Sequence, residues 1–180
     1  YYPLDGNFND LSNNDNNGVG SASVFVADRF GVENRALFFD GIDDGIDFSN
    51  PNYMSPGAND YSVNVWVRYE PDANGQHVFE FNGTFRDTAP LFNLIGASDQ
   101  DEITVRMQSS DDAATLTEAT VTRIKDGNWH MITGVRNTSN GIRNIYKDAV
   151  FAESTSSPSL GDDDLTNRGY ILRVGYTNAG

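Results

Sequence analysis

Apolar residues in this chain recur at every second position, with little sign of the three-to-four spacing of a helix. In 61–69, Val63, Val65 and Val67 fall on one side of an extended backbone, while Ser62, Asn64, Trp66 and Arg68 fall on the other. Comparable β-prone runs occur at 36–39, 77–81, 91–95, 103–107, 119–124, 130–135, 142–146 and 170–176. Turn formers separate them, among them DGIDDG, PDANG, SDQDE, KDGN and SNG. No stretch keeps apolar residues at i, i+3, i+4 and i+7 over three turns without an intervening Gly, Pro or Asn. Many short strands with almost no helix predict an all-β, antiparallel sandwich or barrel. No internal repeat or inter-domain linker interrupts the pattern. The segment STSSPSLGDDD (154–164) reads as a long surface loop, because a strand-like run follows it. Residues 1–180 are therefore expected to form a single domain, a module or fragment of a larger protein, since the sequence opens on Tyr1.

Composition narrows the function. The chain carries 26 acids against 12 bases, a net charge of −14, and 20 of the acids are Asp. With 17 Gly, this favours turns over helices. The negative field disfavours nucleic acid and anionic membranes and suits divalent cations and neutral sugars. No apolar run approaches the ~20 residues needed to span a bilayer, so membrane insertion is not expected. The absence of Cys removes disulfides, thiol nucleophiles, thiolate zinc sites and iron–sulfur clusters, and two His residues cannot make a multi-histidine centre.

Two segments are rich in hard oxygen donors. The opening stretch YYPLDGNFNDLSNNDNNG offers Asp5, Asn7, Asn9, Asp10 and Asn13, and ALFFDGIDDGIDF (36–48) offers Asp40, Asp43, Asp44 and Asp47. Calcium takes six to eight oxygens from carboxylates, amides and carbonyls, and Gly6, Gly41 and Gly45 would let carbonyls turn inward. The spacing is not that of a twelve-residue calcium loop, so a cage would draw on two separate loops sharing one ion. The competing reading is that these side chains cap turns on an acidic surface. Asp162–Asp164 lie in the long loop and are expected to be solvated.

Four segments in order resemble the laminin G-like branch of the concanavalin A-like jelly rolls. They are the opening strand and Asn/Asp-rich turn, ALFFDGIDDGIDF, the tryptophan strand YSVNVWVRYEPD (61–72), and DGNWHMITGVRN (126–137). IRNIYKDAVF (142–151) fits a fifth strand, with Ala149 where the family has Gly. The resemblance implies an antiparallel jelly-roll β-sandwich with calcium near the opening turn. It also implies that Trp66 and Trp129 pack in the core and that 1–4 form a strand. That strand would pair with a closing strand beyond YILRVGY that this chain does not contain. Such an unfilled edge would suit strand addition from another copy or from the parent protein.

The chemistry expected of such a chain is binding. Loop aromatics Tyr53 and Phe85, with Asn, Asp and Arg beside them, are candidate sugar-stacking residues. His77 and His130 read as structural. Catalysis is not expected. The six Glu do not pair along a strand as two-carboxylate glycoside hydrolysis requires, and no nucleophile elbow or phosphate loop exists. The expectation is a non-catalytic, calcium-dependent binding module of an extracellular or cell-surface protein, bacterial in origin, recognising a glycan or a cell-surface protein. The alternative is an assembly module that self-associates through an open sheet edge, and a glycosidase or lyase on the same fold ranks third.

Overall fold

A computed structural model of the chain describes residues 1–40, 43–48, 59–71, 77–82, 91–96, 101–108, 117–137, 139–156 and 171–174. Among these residues there are thirteen strands and no helix. They are β1 (Gly18–Ser21), β2 (Val24–Val26), β3 (Ala36–Phe38), β4 (Gly45–Phe48), β5 (Tyr61–Arg68), β6 (His77–Asn82) and β7 (Leu91–Gly96). After them come β8 (Glu102–Gln108), β9 (Thr117–Thr122), β10 (Trp129–Asn137), β11 (Ile142–Lys147), β12 (Val150–Ser156) and β13 (Ile171–Val174).

One sheet has seven strands in the order β1-β4-β13-β6-β7-β8-β9, and the other has four in the order β12-β11-β10-β5. A separate two-stranded ribbon pairs β2 with β3. Every pairing is antiparallel. The core draws on both sheets: Ile46 and Phe48 of β4, Ile103 of β8, and Ala119 and Val121 of β9 meet Ile132 of β10 and Ile145 of β11. This is the jelly-roll sandwich of the concanavalin A-like and laminin G-like folds, and its cause is period-two alternation. In β10, His130, Ile132, Gly134 and Arg136 are buried while the residues between them are not. Each fully buried Ile contributes about 1.5–3 kcal/mol.

The inner face is not wholly apolar. Arg136 and Arg143 sit directly opposite each other in the β10–β11 ladder, and both are buried. Arg143 Nη1 donates to the Gly141 carbonyl at 3.0 Å, and the Arg136 guanidinium lies 5.7 Å from the Tyr61 ring centre.

The amino-terminal segment departs from expectation, because residues 1–4 are not a strand. Their backbone is held by a Leu11 N–H donating to the Tyr1 carbonyl at 2.8 Å. The Tyr2 ring packs 4.6 Å from Phe48, and its hydroxyl donates to the Asn16 carbonyl at 2.7 Å. The outer strand of the large sheet is instead β1, whose inward positions are glycines because Phe8 lies across them. A Cβ on Gly20 would stand 2.2 Å from Phe8 Cζ. The strand foreseen at 170–176 is β13, which lies inside the large sheet between β4 and β6.

The β11–β12 hairpin closes in two residues, Asp148 (φ 51°) and Ala149 (φ 65°), between the paired Lys147 and Val150. Both residues are left-handed, as a type I′ turn demands, so Ala149 occupies a slot that glycine fills best.

Candidate functional site

The three-acid turn sits between β3 and β4. Asp44 is buried, and its Oδ2 accepts the Asp40 N–H at 2.6 Å, which closes the turn on itself. Asp40 and Asp43 are exposed beside it, and carboxylate oxygens of all three lie within 4.8 Å of one another. Two oxygens on one calcium can stand no more than about 5 Å apart, twice the bond length, so the spacing accommodates a shared ion. No other such group of His, Asp and Glu occurs among the described residues. Asp47, one turn further on, lies exposed on β4 opposite Val19.

The opening turn has a different character, because its oxygens are engaged by its own chain. Asp10 is buried and accepts from Ser12 N and Ser12 Oγ, both at 2.8 Å, from Tyr1 N at 2.9 Å, and from Asn16 N at 3.4 Å. The Ser12 hydroxyl, then the Tyr1 amino group and backbone N–H donors, hold its carboxyl well below the usual carboxylate range. Burial, with the Asp10 charge behind it, pushes the Tyr2 phenol up to about 12. Asp5 pairs with Arg35 Nη2 at 3.2 Å, and its carbonyl accepts from Asn7 Nδ2. Asn7 Oδ1 accepts the Asn9 N–H, Asn17 Oδ1 accepts the Asp10 N–H, and Asn13 takes a left-handed φ of 66°. These are turns built from side-chain-to-backbone bonds. One oxygen stands apart: Asn16 Oδ1 is buried with no hydrogen-bond partner among the described residues. The structure thus gathers Asp40, Asp43 and Asp44, and it binds Asp5, Asn7, Asn9 and Asp10 into a separate hydrogen-bonded turn. Tyr53, Phe85 and Asp162–Asp164 lie outside the described residues.

The tryptophans correct a second expectation. Alternation along β5 puts Trp66 on the outer face, where it is 38% exposed, with Ser62, Asn64 and Arg68. Pairing with β10 sets Met131 beside Trp66, Thr133 beside Asn64 and Trp129 beside Arg68, so Trp129 shares that face. Neither ring lies between the sheets. The parity that buries the valines faces Trp66 outward, and it outweighs the general preference of Trp for interiors. Asn64 Nδ2 donates to Thr133 Oγ1 at 2.6 Å, and the Arg68 guanidinium lies 5.7 Å from the Trp129 ring centre while pairing with Glu70 at 3.2 Å. The β2–β3 loop reaches the same face: the Arg29 guanidinium carbon stands 4.4 Å from the Trp66 ring centre and 4.2 Å from that of Phe30. Tyr146, opposite Thr133, extends the face towards Phe151, its ring centre 5.8 Å away. The face offers aromatic rings beside amide and hydroxyl groups, the chemistry that takes up a sugar ring and its hydroxyls.

His130 holds two turns together. It is buried, with Nδ1 2.8 Å from Asp148 Oδ2 and Nε2 3.1 Å from Asp126 Oδ1, and so links the β9–β10 turn to the β11–β12 hairpin. No helix among the described residues is long and apolar enough to cross a membrane.

Comparison with solved structures finds this fold in several proteins, two of them solved with a bound sugar. Domain 4 of AbnA, an extracellular arabinanase of Geobacillus stearothermophilus solved with arabinotriose, is 17% identical with a TM-score of 0.72 over 99% of this chain and 83% of that one. The sialidase module CBM40 of Ruminococcus gnavus, bound to α2,3-sialyllactose, is 8% identical with a TM-score of 0.60 over 88% of this chain and 80% of that one. Domains LG4-5 of the mouse laminin α1 chain are 14% identical with a TM-score of 0.58 over 79% of this chain and 34% of that one. No curated protein sequence matches the chain. A laminin G-type family model, described as the concanavalin A-like lectin/glucanases superfamily, matches residues 40–180, more than half of the sequence. The chain belongs to the concanavalin A-like lectin/glucanase superfamily.

Proposed function

We propose that this chain is a non-catalytic glycan-binding module of an extracellular protein, with calcium at Asp40, Asp43 and Asp44 stiffening the β3–β4 turn. The observation that carries the reading is the outer face of the four-stranded sheet, where Trp66 and Trp129 stand on one surface with Asn64 and Thr133. A sugar ring laid on such a face meets indole rings with its C–H groups, and its hydroxyls meet Asn64 Oδ1 and the Thr133 hydroxyl. Two structural neighbours solved with arabinotriose and sialyllactose support a sugar ligand by analogy of fold. The superfamily's name covers glucanases as well as lectins. Binding fits better because none of β6, β8, β9 and β12 carries more than one Glu, so none supplies two at alternate positions.

Calcium in this reading neutralises three clustered carboxylates and lowers the ordering cost of ligand binding. A glycan array probed in calcium and again in chelator tests the whole. Saturable binding to one sugar class, weakened by chelator, is the expected result, and silence across the array in both conditions overturns it.

The assembly reading keeps one observation in its favour: β12 is an edge strand almost wholly exposed, Val150 and Phe151 included. It requires a concentration-dependent dimer in sedimentation, and a monomer throughout removes it.

A further inference from the structure

The β2–β3 loop is built to present one side chain. Asp28 organises it: Asp28 Oδ1 accepts the N–H groups of Phe30 at 2.8 Å and Val32 at 3.0 Å. Its carbonyl accepts from Gly31 N, and its own N–H donates to the Val32 carbonyl, both at 3.0 Å. Gly31 takes the left-handed φ of 78° that this tight path needs. The loop so fixed sets the Arg29 guanidinium carbon over two rings, 4.2 Å from the centre of Phe30 and 4.4 Å from that of Trp66.

Stacking engages the flat faces of a guanidinium and leaves its N–H donors in the plane, pointing past the rings. Arg35 and Arg68 meet carboxylates of Asp5 and Glu70. Arg29 has no ion-pair partner among the described residues. Asp28 is next to it, but the oxygen shown in use is taken by two backbone N–H groups. In a protein of net charge −14, this is an exposed cation whose guanidinium makes no ion pair among the described residues, with the Asp28 charge beside it. Phe30, 73% exposed, presents an apolar ring at its side.

We propose that Arg29, set over the rings of Phe30 and Trp66, is the carboxylate-recognising group of a site for an acidic sugar, a uronate or a sialate. The sugar's carboxylate meets the guanidinium edge in a paired, charge-assisted contact, and its apolar C–H face packs against Phe30. Trp129, on the same face, continues the surface for the next residue of the sugar chain. The inference rests on the glycan-binding reading and adds the ligand's charge to it.

Titration calorimetry with trigalacturonate, α2,3-sialyllactose and neutral arabinotriose tests it. At least one acidic trisaccharide should bind about ten-fold tighter than the neutral one, and Arg29→Gln should weaken that acidic ligand at least ten-fold, so that its advantage over the neutral trisaccharide is lost. Arg29→Lys keeps the charge but loses the planar fork, and should recover only part of the affinity. Which acid binds decides between uronate and sialate. Phe30→Ala, at an exposed ring, serves as a second variant if Arg29→Gln alters the loop by circular dichroism. It should weaken the acidic ligand in the same sense. Equal binding of acidic and neutral trisaccharides, unmoved by Arg29→Gln and Phe30→Ala, overturns the inference and leaves the glycan reading standing. Failure of all three sugars and of the glycan array overturns both.

Discussion

Asp148 reaches His130 with one carboxylate oxygen, Oδ2, 2.8 Å from Nδ1, and accepts the Met131 N–H at 2.9 Å with the other. The Asp148 N–H in turn donates to the Met131 carbonyl at 2.8 Å. One turn residue thus fastens the end of β11 to the start of the neighbouring strand, β10. The next residue works against it. Ala149 holds a φ of 65° with no bond or charge to favour that conformation, and a Cβ there costs about 1–2 kcal/mol.

Ala149→Gly is therefore expected to stabilise the protein by about 1 kcal/mol in urea unfolding, since relief of the left-handed strain exceeds the chain entropy that glycine adds to the unfolded state. Asp148→Ala should act in the opposite sense by about 1–3 kcal/mol, because it leaves buried His130 and the Met131 N–H without their acceptor. An Ala149→Gly variant no more stable than the parent would show that the turn is not strained.

Acid stability should depend on Asp10. Its carboxyl is held below the usual range in the folded state, so the stabilisation it gives is complete above its unfolded value, about 3.9, and is lost as pH falls from there towards the folded value. The free energy of unfolding, followed from pH 6 to pH 3, should fall less steeply in Asp10→Asn than in the parent. The variant should also be less stable at pH 6, because an amide nitrogen would face donors that now meet a carboxylate. Parallel curves for the two proteins would contradict this account.

Gly20 is expected to tolerate no side chain. A Cβ would stand 2.2 Å from Phe8 Cζ and 2.5 Å from Cε2, so Gly20→Ala must displace the ring, at a cost of about 1–3 kcal/mol. In a Phe8→Ala background the same change should cost much less. A double-mutant cycle with no coupling would mean that the ring moves aside freely.

For calcium, the measurement is a melting scan in calcium against chelator. Binding to the folded state alone raises stability by about 2.7 kcal/mol at a hundred times Kd, so the midpoint should rise by several degrees. Asp40→Asn with Asp43→Asn, both exposed, should abolish the rise while leaving the chelated midpoint unchanged or higher, because like charges have been removed. A calcium-independent midpoint in the parent removes the ion from the proposed function.

The strands that could be read from the chain are those with a buried face. The runs at 61–69, 130–135 and 142–146 became β5, β10 and β11 because Val63, Ile132 and Ile145 face the core at period two. β12 escaped because Val150, Phe151, Ala152, Glu153 and Ser154 are all exposed, and an edge strand with no inward face leaves no alternation to find. β1 escaped because its inward residues are glycines, whose role depends on Phe8 ten and twelve residues earlier. At the candidate site, the clustering of Asp40, Asp43 and Asp44 was legible from their spacing. The outward position of Trp66 was present in its parity with Val65 and Val67 but set aside for the residue's usual place. Arg29 carried no local signal at all, because its significance comes from a loop folding back on a strand more than thirty residues further on.

The placement of the tryptophans has one more consequence. The protein has two, and both stand on the same outer face of the four-stranded sheet. Its tryptophan fluorescence, excited apart from the tyrosines, therefore reports on one surface rather than on the space between the sheets. Trp66 emits beside a fixed cation, so any molecule that shifts Arg29 changes the light the protein gives off without a label.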